Sequence, residues 1–426
     1  MLAPERVANA PAPPVPDEPR HATTWAEARQ LAYDCARPLP PLNVPLADAI
    51  GGTLTADVLA SWPLPHYASS AMDGWAINGS GPWKMTTAGL PLSPGEANVI
   101  ATGGLIPAGA VAVLRKESGL VSRGTGDLPQ LTLTPDAKPG ETLPGRHIRP
   151  AGEEASAGDV LIPAGTVLNP AHIALAAVAG HDELQVQRKP VVAVVLTGSE
   201  VVTSGEPEPG QVRDAFGPQL DAVISYLGGE SGGQRRIGDS YDEWLGALMR
   251  ANHGHRPDVT ITTGGTGKSG TDHFRDAVAA LGGRLLVDGI AMRPGHPAVL
   301  AELPDGRFII GLPGNPLAAM MALTTLGEPL LAALGARPLR RSSLMTSGAD
   351  IDPAPGRTRL IPCTFVHELA FPAAHTGPGM MRGLAGAHGY MAVPPEGAAA
   401  GAPVPVLPLP WTAYSPLPAG RAAIGA

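Results

Sequence analysis

The segment from Pro257 to Ala280 has the residue types of an anion-binding loop. A β-branched run leads into Gly264-Gly-Thr-Gly-Lys-Ser269, and a helical pattern begins near Asp272. The backbone N–H groups of such a loop and the positive end of the following helix face one point, which favours a bound phosphate or a similar anion. Lys268 brings a positive charge to the loop and is one of only five lysines in the chain. A glycine-rich turn that binds nothing is the alternative.

A P-loop is a second interpretation of the same segment. That motif needs a glycine five positions before Gly267, where the chain has Thr262, and Gly270 separates the Gly-Lys-Ser from the helix that should start there. Leu285-Leu-Val-Asp288 could still form a strand that ends in a magnesium-binding aspartate. A nucleotide-hydrolysing protein therefore stays open.

Carboxylates gather in the loops around this segment. Glu200, Asp239 and Asp272 lie in loops expected at one edge of a sheet, and Asp214 is nearby. Any one of them is also explained as a helix cap or a solvated loop charge. Several carboxylates beside an anionic ligand repel it unless a divalent cation bridges them, so we predict Mg²⁺ and a phosphate-bearing substrate. The positive or protonatable side chains of these loops are Lys268, Arg293 and His296.

Two proline-stiffened turns lie close in sequence. Arg293-Pro-Gly-His-Pro297 is an extended loop that could hold a ligand or connect two elements. The run from Phe308 to Pro316 indicates a strand followed by a rigid turn, in which Pro316 presets the first helical turn and Asn315 can cap it. A purely structural turn explains this run nearly as well.

Two further turns lie in the N-terminal half. Leu64-Pro-His-Tyr-Ala-Ser-Ser-Ala-Met-Asp-Gly-Trp-Ala76 places Asp73 among small residues, and Ala101-Thr-Gly-Gly-Leu-Ile-Pro-Ala-Gly109 carries Thr102. Ordinary turn chemistry explains both segments as well.

The residues from Lys189 to Gly335 indicate the elements that position the loops. Apolar runs such as Val191–Leu196 and Val259–Ile261 alternate with segments of helical periodicity. This alternation predicts a doubly wound α/β domain with a mostly parallel sheet, whose ligands collect at the carboxyl ends of the strands. The loops expected to share that edge are 197–200, 237–240, 263–272 and 311–316.

Length and turn composition predict several domains. The 426 residues exceed the roughly 250 to 300 that one hydrophobic core serves, and 54 glycines and 48 prolines punctuate the apolar runs. We expect a helix from Thr24 that ends before Pro38 and another from Ala171 to Ala179. The expected divisions are a disordered tail at 1–22, a linker domain formed by 23–45 and 145–187, an inserted β-rich domain at 46–144, the α/β domain at 188–338 and a small C-terminal β domain at 339–426.

Charge and cysteine content exclude several classes. A formal charge of −8 and a pI near 5.8 give no general attraction to nucleic acids or acidic membranes. Cys35 and Cys363 are the only cysteines and lack metal-binding spacing, so neither a disulfide framework nor a zinc site is expected. The sequence has no run of about 18 apolar residues and no basic-then-apolar start, so we expect no membrane span or signal peptide and a cytoplasmic protein.

Taken in order, seven segments resemble the molybdopterin molybdenumtransferases, the bacterial relatives of the gephyrin E domain. The resemblance extends from about residue 24 to 410. The matching segments are Ser70-Ala-Met-Asp-Gly-Trp-Ala76, Thr102-Gly-Gly-Leu-Ile-Pro-Ala-Gly109, Gly145-Arg-His-Ile-Arg-Pro-Ala-Gly-Glu-Glu154, Leu196-Thr-Gly-Ser-Glu200, Thr262-Thr-Gly-Gly265 with Asp272, Arg293-Pro-Gly-His-Pro297 and Leu312-Pro-Gly-Asn-Pro316.

The resemblance implies a fold, a reaction and a set of site residues. It implies a homodimer of four-domain subunits with a barrel-like C-terminal domain, and an active site between the α/β domain of one subunit and the Asp73 region of the other. Adenylylated molybdopterin and molybdate would react with Mg²⁺ to give molybdenum cofactor and AMP. The implied catalytic residues are Asp73, Thr102, Glu200, Asp239 and Asp272, of which Glu200, Asp239 and Asp272 would hold the metal. The predicted substrate-binding residues are Asp214, Gly264, Gly265, Lys268, Ser269, Arg293, Pro294, Gly295, His296, Pro313, Gly314, Asn315 and Pro316.

The chain departs from the family pattern near the proposed site. The departures are Glu154 for an aspartate, Ser199 before Glu200, Phe216 for an asparagine, Gly267 where the loop differs, His296 for a lysine and Ala318 for a serine. These changes rearrange or weaken contacts to oxyanions. A divergent carrier that binds pterin or nucleotide without inserting metal is therefore the main alternative to an active enzyme.

Overall fold

A computed structural model of the chain describes residues 23–123, 129–249, 256–267 and 273–412. They form two compact units: a middle unit, Pro40–Arg188, and a discontinuous unit formed by the described residues before and after it. The predicted tail, 1–22, lies outside the described residues.

The first elements of the discontinuous unit are strand β1 (Thr23–Thr24) and helix α1 (Trp25–Asp34). Thr24 Oγ1 accepts a hydrogen bond from Glu27 N, and Glu27 Oε2 accepts one from Thr24 N at 2.9 Å, so a capping box starts the helix. The predicted helix therefore exists. Residues 23–39 lie in the discontinuous unit, where α1 buries an apolar face in the core. The predicted linker domain of 23–45 and 145–187 stays a prediction.

The middle unit is β-rich, as predicted. Its main sheet has the strand order β8-β5-β7-β6-β10-β9, and three smaller pairs, β11–β4, β12–β3 and β13–β2, complete it. Short 3₁₀ helices are Leu46–Asp48 and Lys116–Ser118. The strands and the one helix described in this unit are β2 (Leu42–Pro45), β3 (Val58–Leu59), β4 (Ser69–Ser70), β5 (Gly74–Ile77), β6 (Trp83–Met85), β7 (Glu96–Ile100), β8 (Ala112–Arg115), β9 (Gly119–Arg123), β10 (Pro129–Leu133), β11 (Ile148–Arg149), β12 (Val160–Ile162), α2 (Pro170–Val178) and β13 (Glu183–Val186).

The α/β part of the discontinuous unit contains a six-stranded sheet of order β17-β14-β18-β22-β21-β19. The first four strands are parallel, and β21 and β19 are antiparallel to their neighbours, so the predicted mostly parallel sheet is confirmed. The elements are β14 (Val191–Leu196), β15 (Val201–Val202), β16 (Val212–Arg213), α3 (Gly217–Tyr226), β17 (Glu230–Arg236), α4 (Tyr241–Met249), β18 (Val259–Thr263), α5 (Phe274–Ala280), β19 (Arg284–Asp288), β20 (Ile290–Arg293), β21 (Val299–Glu302), β22 (Phe308–Leu312), α6 (Pro316–Ala322) and α7 (Glu328–Leu334).

The inner strands of this sheet are buried because helices cover both faces. Five of the six residues of β14 and all residues of β18 and β22 are buried. The parallel pairing of β17, β14, β18 and β22 brings their carboxyl ends to one edge of the domain.

The C-terminal part forms a closed five-stranded barrel, which confirms the predicted barrel-like domain. Strands β24, β25, β23, β27 and β26 pair in that order, and β26 returns to β24. Cys363, Phe365 and Met391 fill its core. The elements are β23 (Ser343–Ser347), β24 (Thr358–Val366), β25 (Leu369–Pro372), α8 (Arg382–Ala385), β26 (Gly389–Val393) and β27 (Pro403–Pro408).

One described helical stretch, Pro316–Leu334, is long and apolar enough to cross a membrane. It consists of α6, a π-helical turn (Leu323–Gly327) and α7, and it lies wholly inside the protein. The sequence shows no uninterrupted apolar run here because Thr324, Thr325 and Glu328 divide it. Buried helices of protein cores pass the same length test.

Candidate active site

A cavity of about 830 Å³ lies at the carboxyl ends of β17, β14, β18 and β22. The four loops expected to share this edge all contribute residues to its wall. Ligands of open parallel sheets collect at this position because backbone groups and loop side chains converge there. The lining residues used below are Thr197, Gly198, Glu200, Arg213, Asp214, Arg236, Asp239, Trp244, Gly264, Gly265, Gly314, Asn315 and Pro316.

Glu200 and Asp239 both line the cavity, although 39 positions separate them in the sequence. Asp239 Oδ2 accepts a hydrogen bond from Ser199 N at 3.3 Å, which ties the two acidic loops together. The Glu200 carboxylate makes no hydrogen bond or ion pair with any described residue. Within the described ranges no group of three or more His, Cys, Asp or Glu residues could hold a metal.

The pair nevertheless fits the chemistry of a magnesium site. Mg²⁺ is commonly held by one or two protein carboxylates, with water and substrate phosphates supplying the other oxygens. Glu200 and Asp239 provide two carboxylates at one cavity wall. The third predicted ligand, Asp272, lies outside the described residues.

Asp214 also lines the cavity, but its carboxylate is used inside the protein. Oδ1 accepts from Phe216 N at 2.9 Å and from Gly217 N at 3.0 Å, at the start of α3. Oδ2 lies 2.5 Å from Arg236 Nη2, and the Asp214 side chain is only 8% exposed. The pairing therefore occupies the carboxylate that was predicted to contact substrate.

Arg236 was missed by the sequence analysis. It ends β17, whose sequence Glu-Ser-Gly-Gly-Gln-Arg-Arg has no apolar run and therefore no strand signal. The observation that could have identified it is its place just before the predicted acidic loop, 237–240.

Gly264 and Gly265, which follow β18, line the cavity. Both have a left-handed backbone conformation, which favours glycine. Their φ angles are +82° and +67°. A Cβ on Gly264 would lie 2.8 Å from Thr197 Oγ1, and one on Gly265 would overlap the ring of Trp244. The predicted ligand residues Lys268 and Ser269 of the same loop lie outside the described residues, and the following helix begins at Phe274.

The P-loop interpretation is not supported by Asp288. Its Oδ1 accepts hydrogen bonds from Arg275 Nε at 3.0 Å and Arg275 Nη2 at 2.6 Å. The guanidinium of Arg275 also donates to the carbonyls of Thr266 and Gly267. The aspartate therefore pairs with an arginine that braces the glycine-rich loop.

The two proline turns meet at a second, smaller cavity of about 200 Å³. Asn315 lines both cavities, so they are neighbours. His296 Nδ1 lies 2.7 Å from the Ile290 carbonyl oxygen, which fixes the ring and assigns the proton to Nδ1. The residues of the predicted site that line this cavity are Arg293, Pro294, Gly295, His296, Pro313 and Asn315, and Arg357 joins them.

Asp73 and Thr102 lie together in the middle unit. Thr102 N and Thr102 Oγ1 donate to Asp73 Oδ1 at 2.7 and 2.9 Å. The hydrogen bond from the Thr102 backbone, followed by that from its hydroxyl, lowers the pKa of Asp73 below its ordinary value. Asp73 is therefore an exposed aspartate that stays charged at neutral pH.

The buried carboxylate of Glu141 contacts two residues that flank the Asp73 turn. Glu141 Oε1 lies 2.5 Å from Arg115 Nη2, and Glu141 Oε2 lies 3.4 Å from His147 Nε2. Arg115 lies opposite Gly74 in the pairing of β8 with β5, and the His147 carbonyl oxygen accepts a hydrogen bond from Ala71 N. Each partner of Glu141 therefore contacts the backbone on one side of Asp73.

Comparisons with known proteins agree along the whole described chain. Three protein-family models match: the MoeA N-terminal region (domain I and II) at residues 23–180, a "Probable molybdopterin binding domain" at 193–333, and the MoeA C-terminal region (domain IV) at 345–409. Together they leave only short gaps between residues 23 and 409.

Similar proteins carry one name. A molybdopterin molybdenumtransferase of Staphylococcus aureus (strain MSSA476) is 29% identical over 330 residues, covering 73% of this chain and 76% of that protein. Molybdopterin molybdenumtransferase 2 of Mycobacterium tuberculosis (strain ATCC 25618 / H37Rv) is 29% identical over 400 residues, covering 87% of this chain and 95% of that protein.

The fold matches a solved structure over almost the same length. The crystal structure of a molybdopterin biosynthesis MoeA protein from Pyrococcus horikoshii aligns with a TM-score of 0.71 and 26% identity, covering 91% of this chain and 99% of that one. Family models, relatives and a solved structure all indicate the same family, and the chain belongs to the MoeA family of molybdopterin molybdenumtransferases.

Proposed function

We propose that this chain is a transferase of molybdenum cofactor biosynthesis that inserts molybdenum from molybdate into adenylylated molybdopterin and releases AMP. The observation that carries the proposal is the 830 Å³ cavity at the carboxyl ends of the parallel strands, lined by Glu200 and Asp239. Relatives that carry the name of this activity support it.

Glu200 and Asp239 would hold Mg²⁺, together with Asp272 if it joins them. When bound, the ion would offset the charge of the substrate phosphates as the phosphoanhydride is cleaved. The protein itself contributes orientation: Ser199 N fixes Asp239 at 3.3 Å, and the left-handed glycines let the backbone approach the ligand closely. Lys268 and the nearby N–H groups of its loop would bind the charged oxygens.

The 200 Å³ cavity next to the main one suits molybdate, which is a small tetrahedral dianion. Arg293, His296 and Arg357 line it, and none of its described lining residues is acidic. A guanidinium group binds oxyanions through several directed N–H donors. Asn315, which lines both cavities, would place this anion next to the pterin substrate.

Membership of the family supports a homodimer in which Asp73 and Thr102 take part in catalysis. An aspartate kept charged by two hydrogen bonds suits a role in orienting a polar substrate group or water. We place the enzyme in the cytoplasm, where a protein with thiols rather than disulfides is stable.

The test is release of AMP from adenylylated molybdopterin by the purified protein. We expect release to require both molybdate and Mg²⁺, and Glu200→Gln to lower the rate by on the order of 100-fold, because one metal-binding carboxylate is lost. Glu206→Gln is the matched control, since Glu206 is an exposed glutamate in the following loop that lines neither cavity.

Three outcomes separate the alternatives. Tight binding of adenylylated molybdopterin without AMP release would replace the enzyme with a carrier. Release that continues unchanged in a metal chelator would refute the magnesium site. Equal rates for Glu200→Gln and Glu206→Gln would remove Glu200 from the mechanism.

A further inference from the structure

Arg236 is a cavity residue whose position is set by a buried partner. Its Nη2 donates to Asp214 Oδ2 at 2.5 Å, and its guanidinium makes no other hydrogen bond or ion pair within the described residues. Asp214 is itself held by two backbone N–H groups, those of Phe216 and Gly217. The arginine is therefore anchored at one amino group, and its remaining N–H groups are available to a ligand.

The carboxylates in the cavity wall would repel an anionic ligand, so the positive charge of Arg236 is important for binding one. Among the described residues, the ionisable side chains in the wall are three carboxylates, Glu200, Asp214 and Asp239, and two guanidinium groups, Arg213 and Arg236. The Arg213 Nη1 group donates to the Val202 carbonyl at 3.3 Å. The bond with Arg236 neutralises Asp214, so that pair presents donors to a ligand without adding net negative charge.

The position of Arg236 complements the other anion-binding features. It ends β17, the edge strand of the sheet, whereas Asn315 follows β22, three strands away. With strands about 4.8 Å apart, the two ends of the cavity are separated by about 14 Å. A ligand with a phosphate at the Arg236 side and a ring system extending across the sheet edge matches that span.

We propose that Arg236 binds a phosphate of the substrate and makes the site specific for phosphate-bearing ligands, an inference that rests on the proposed function. Guanidinium and phosphate form two parallel N–H···O bonds, and such charge-assisted bonds are among the strongest in proteins. Asp214 is the positioning residue that holds the guanidinium in place.

The experiment measures affinity for two pairs of probes. Molybdopterin is compared with its dephosphorylated form, and AMP is compared with adenosine. We expect Arg236→Gln to weaken binding of at least one phosphate-bearing probe by on the order of 10- to 100-fold while its phosphate-free counterpart binds as in wild type. Arg236→Lys should fall between, since a lysine keeps the charge but loses the bidentate geometry.

The matched control is Arg284→Gln. Arg284 lies on β19, the opposite edge strand of the same sheet, and lines no cavity described above. Its Nη2 lies 2.6 Å from Glu302 Oε2. If Arg236→Gln loses affinity for molybdopterin alone, Arg236 contacts the phosphate of the pterin. If it loses affinity for AMP alone, Arg236 contacts the adenylate phosphate. Unchanged affinity for both, or an equal loss for the phosphate-free forms, would overturn the inference.

The two proposals fail separately. If the wild-type protein releases no AMP but shows the Arg236-dependent preference for phosphate, the proposed reaction is refuted and the phosphate contact is supported. If the wild-type protein releases AMP as expected and Arg236→Gln binds every probe as tightly as wild type, the proposed reaction is supported and the phosphate contact is refuted.

Discussion

Replacing Gly265 by alanine should destabilise the discontinuous unit and distort the cavity. Gly265 has φ +67°, and an alanine in this left-handed region costs about 1 to 2 kcal/mol. The new Cβ would overlap Trp244 Cζ2 and lie 2.7 Å from Trp244 Cη2. Trp244 is only 1% exposed and packs edge-on against buried Phe274, so its ring can move away from the new Cβ only by giving up this packing.

The size of the effect follows from these two contributions. Inserting a methyl group into a packed core costs about 1 to 3 kcal/mol. Added to the backbone cost, this gives a loss of about 2 to 5 kcal/mol in the free energy of unfolding for Gly265→Ala. The cavity wall at Gly264 should shift with it, so affinity for the phosphate-bearing probes should fall as well.

The control isolates the steric contribution. Gly306 lies in the same unit with φ +83°, and a Cβ there would meet nothing within 4 Å. Gly306→Ala should therefore lose only the backbone part, about 1 to 2 kcal/mol, with ligand affinity unchanged. Urea unfolding followed by tryptophan fluorescence measures both variants. Equal losses in the two would refute the clash with Trp244.

Two further perturbations test the middle unit and the assembly. Glu141→Gln should cost about 3 kcal/mol at pH 7, because it leaves Arg115 without its buried partner. Burial raises the pKa of Glu141, but hydrogen bonds and charge from Arg115 outweigh it and lower the pKa below its ordinary value. The stability difference from wild type should thus be full above the carboxyl pKa of the unfolded chain and vanish as pH falls through the folded pKa; a difference independent of pH would contradict this. Mixing Asp73→Asn with Asp239→Asn subunits should restore roughly a quarter of wild-type AMP release if the two aspartates act from different subunits, since half of the dimers are mixed and each has one intact site. No restoration would place both in one subunit.

Local chemistry in the sequence was sufficient to predict most of the elements around the site. The apolar run Val191–Leu196 predicted a buried strand, and Thr24 with Glu27 forms the cap that starts the first helix. Alternating strands and helices predicted the parallel sheet, and geometry then brings strand ends to one edge. The placement of Glu200 and Asp239 at one cavity agrees with that expectation.

Other features depend on partners that are distant in sequence. The polar strand β17 carries no apolar signal, and it is a strand because β14 pairs with it. Helix α1 belongs to the discontinuous unit because its apolar face packs in the core of that unit. The local sequence pattern predicts the helix but not the core against which it packs.

The sequence by itself indicated the carboxylates that could bind a metal and the glycine-rich and proline turns that could bind a ligand, because side-chain chemistry and loop composition are local properties; it did not indicate Arg236. Only the tertiary structure decided which of those groups are free to act. Asp214 is occupied because sheet order places Arg236 beside it, 22 positions away, whereas the Glu200 carboxylate has no partner among the described residues. Such assignments follow from through-space distances of a few ångströms, and these are set by packing of the whole domain.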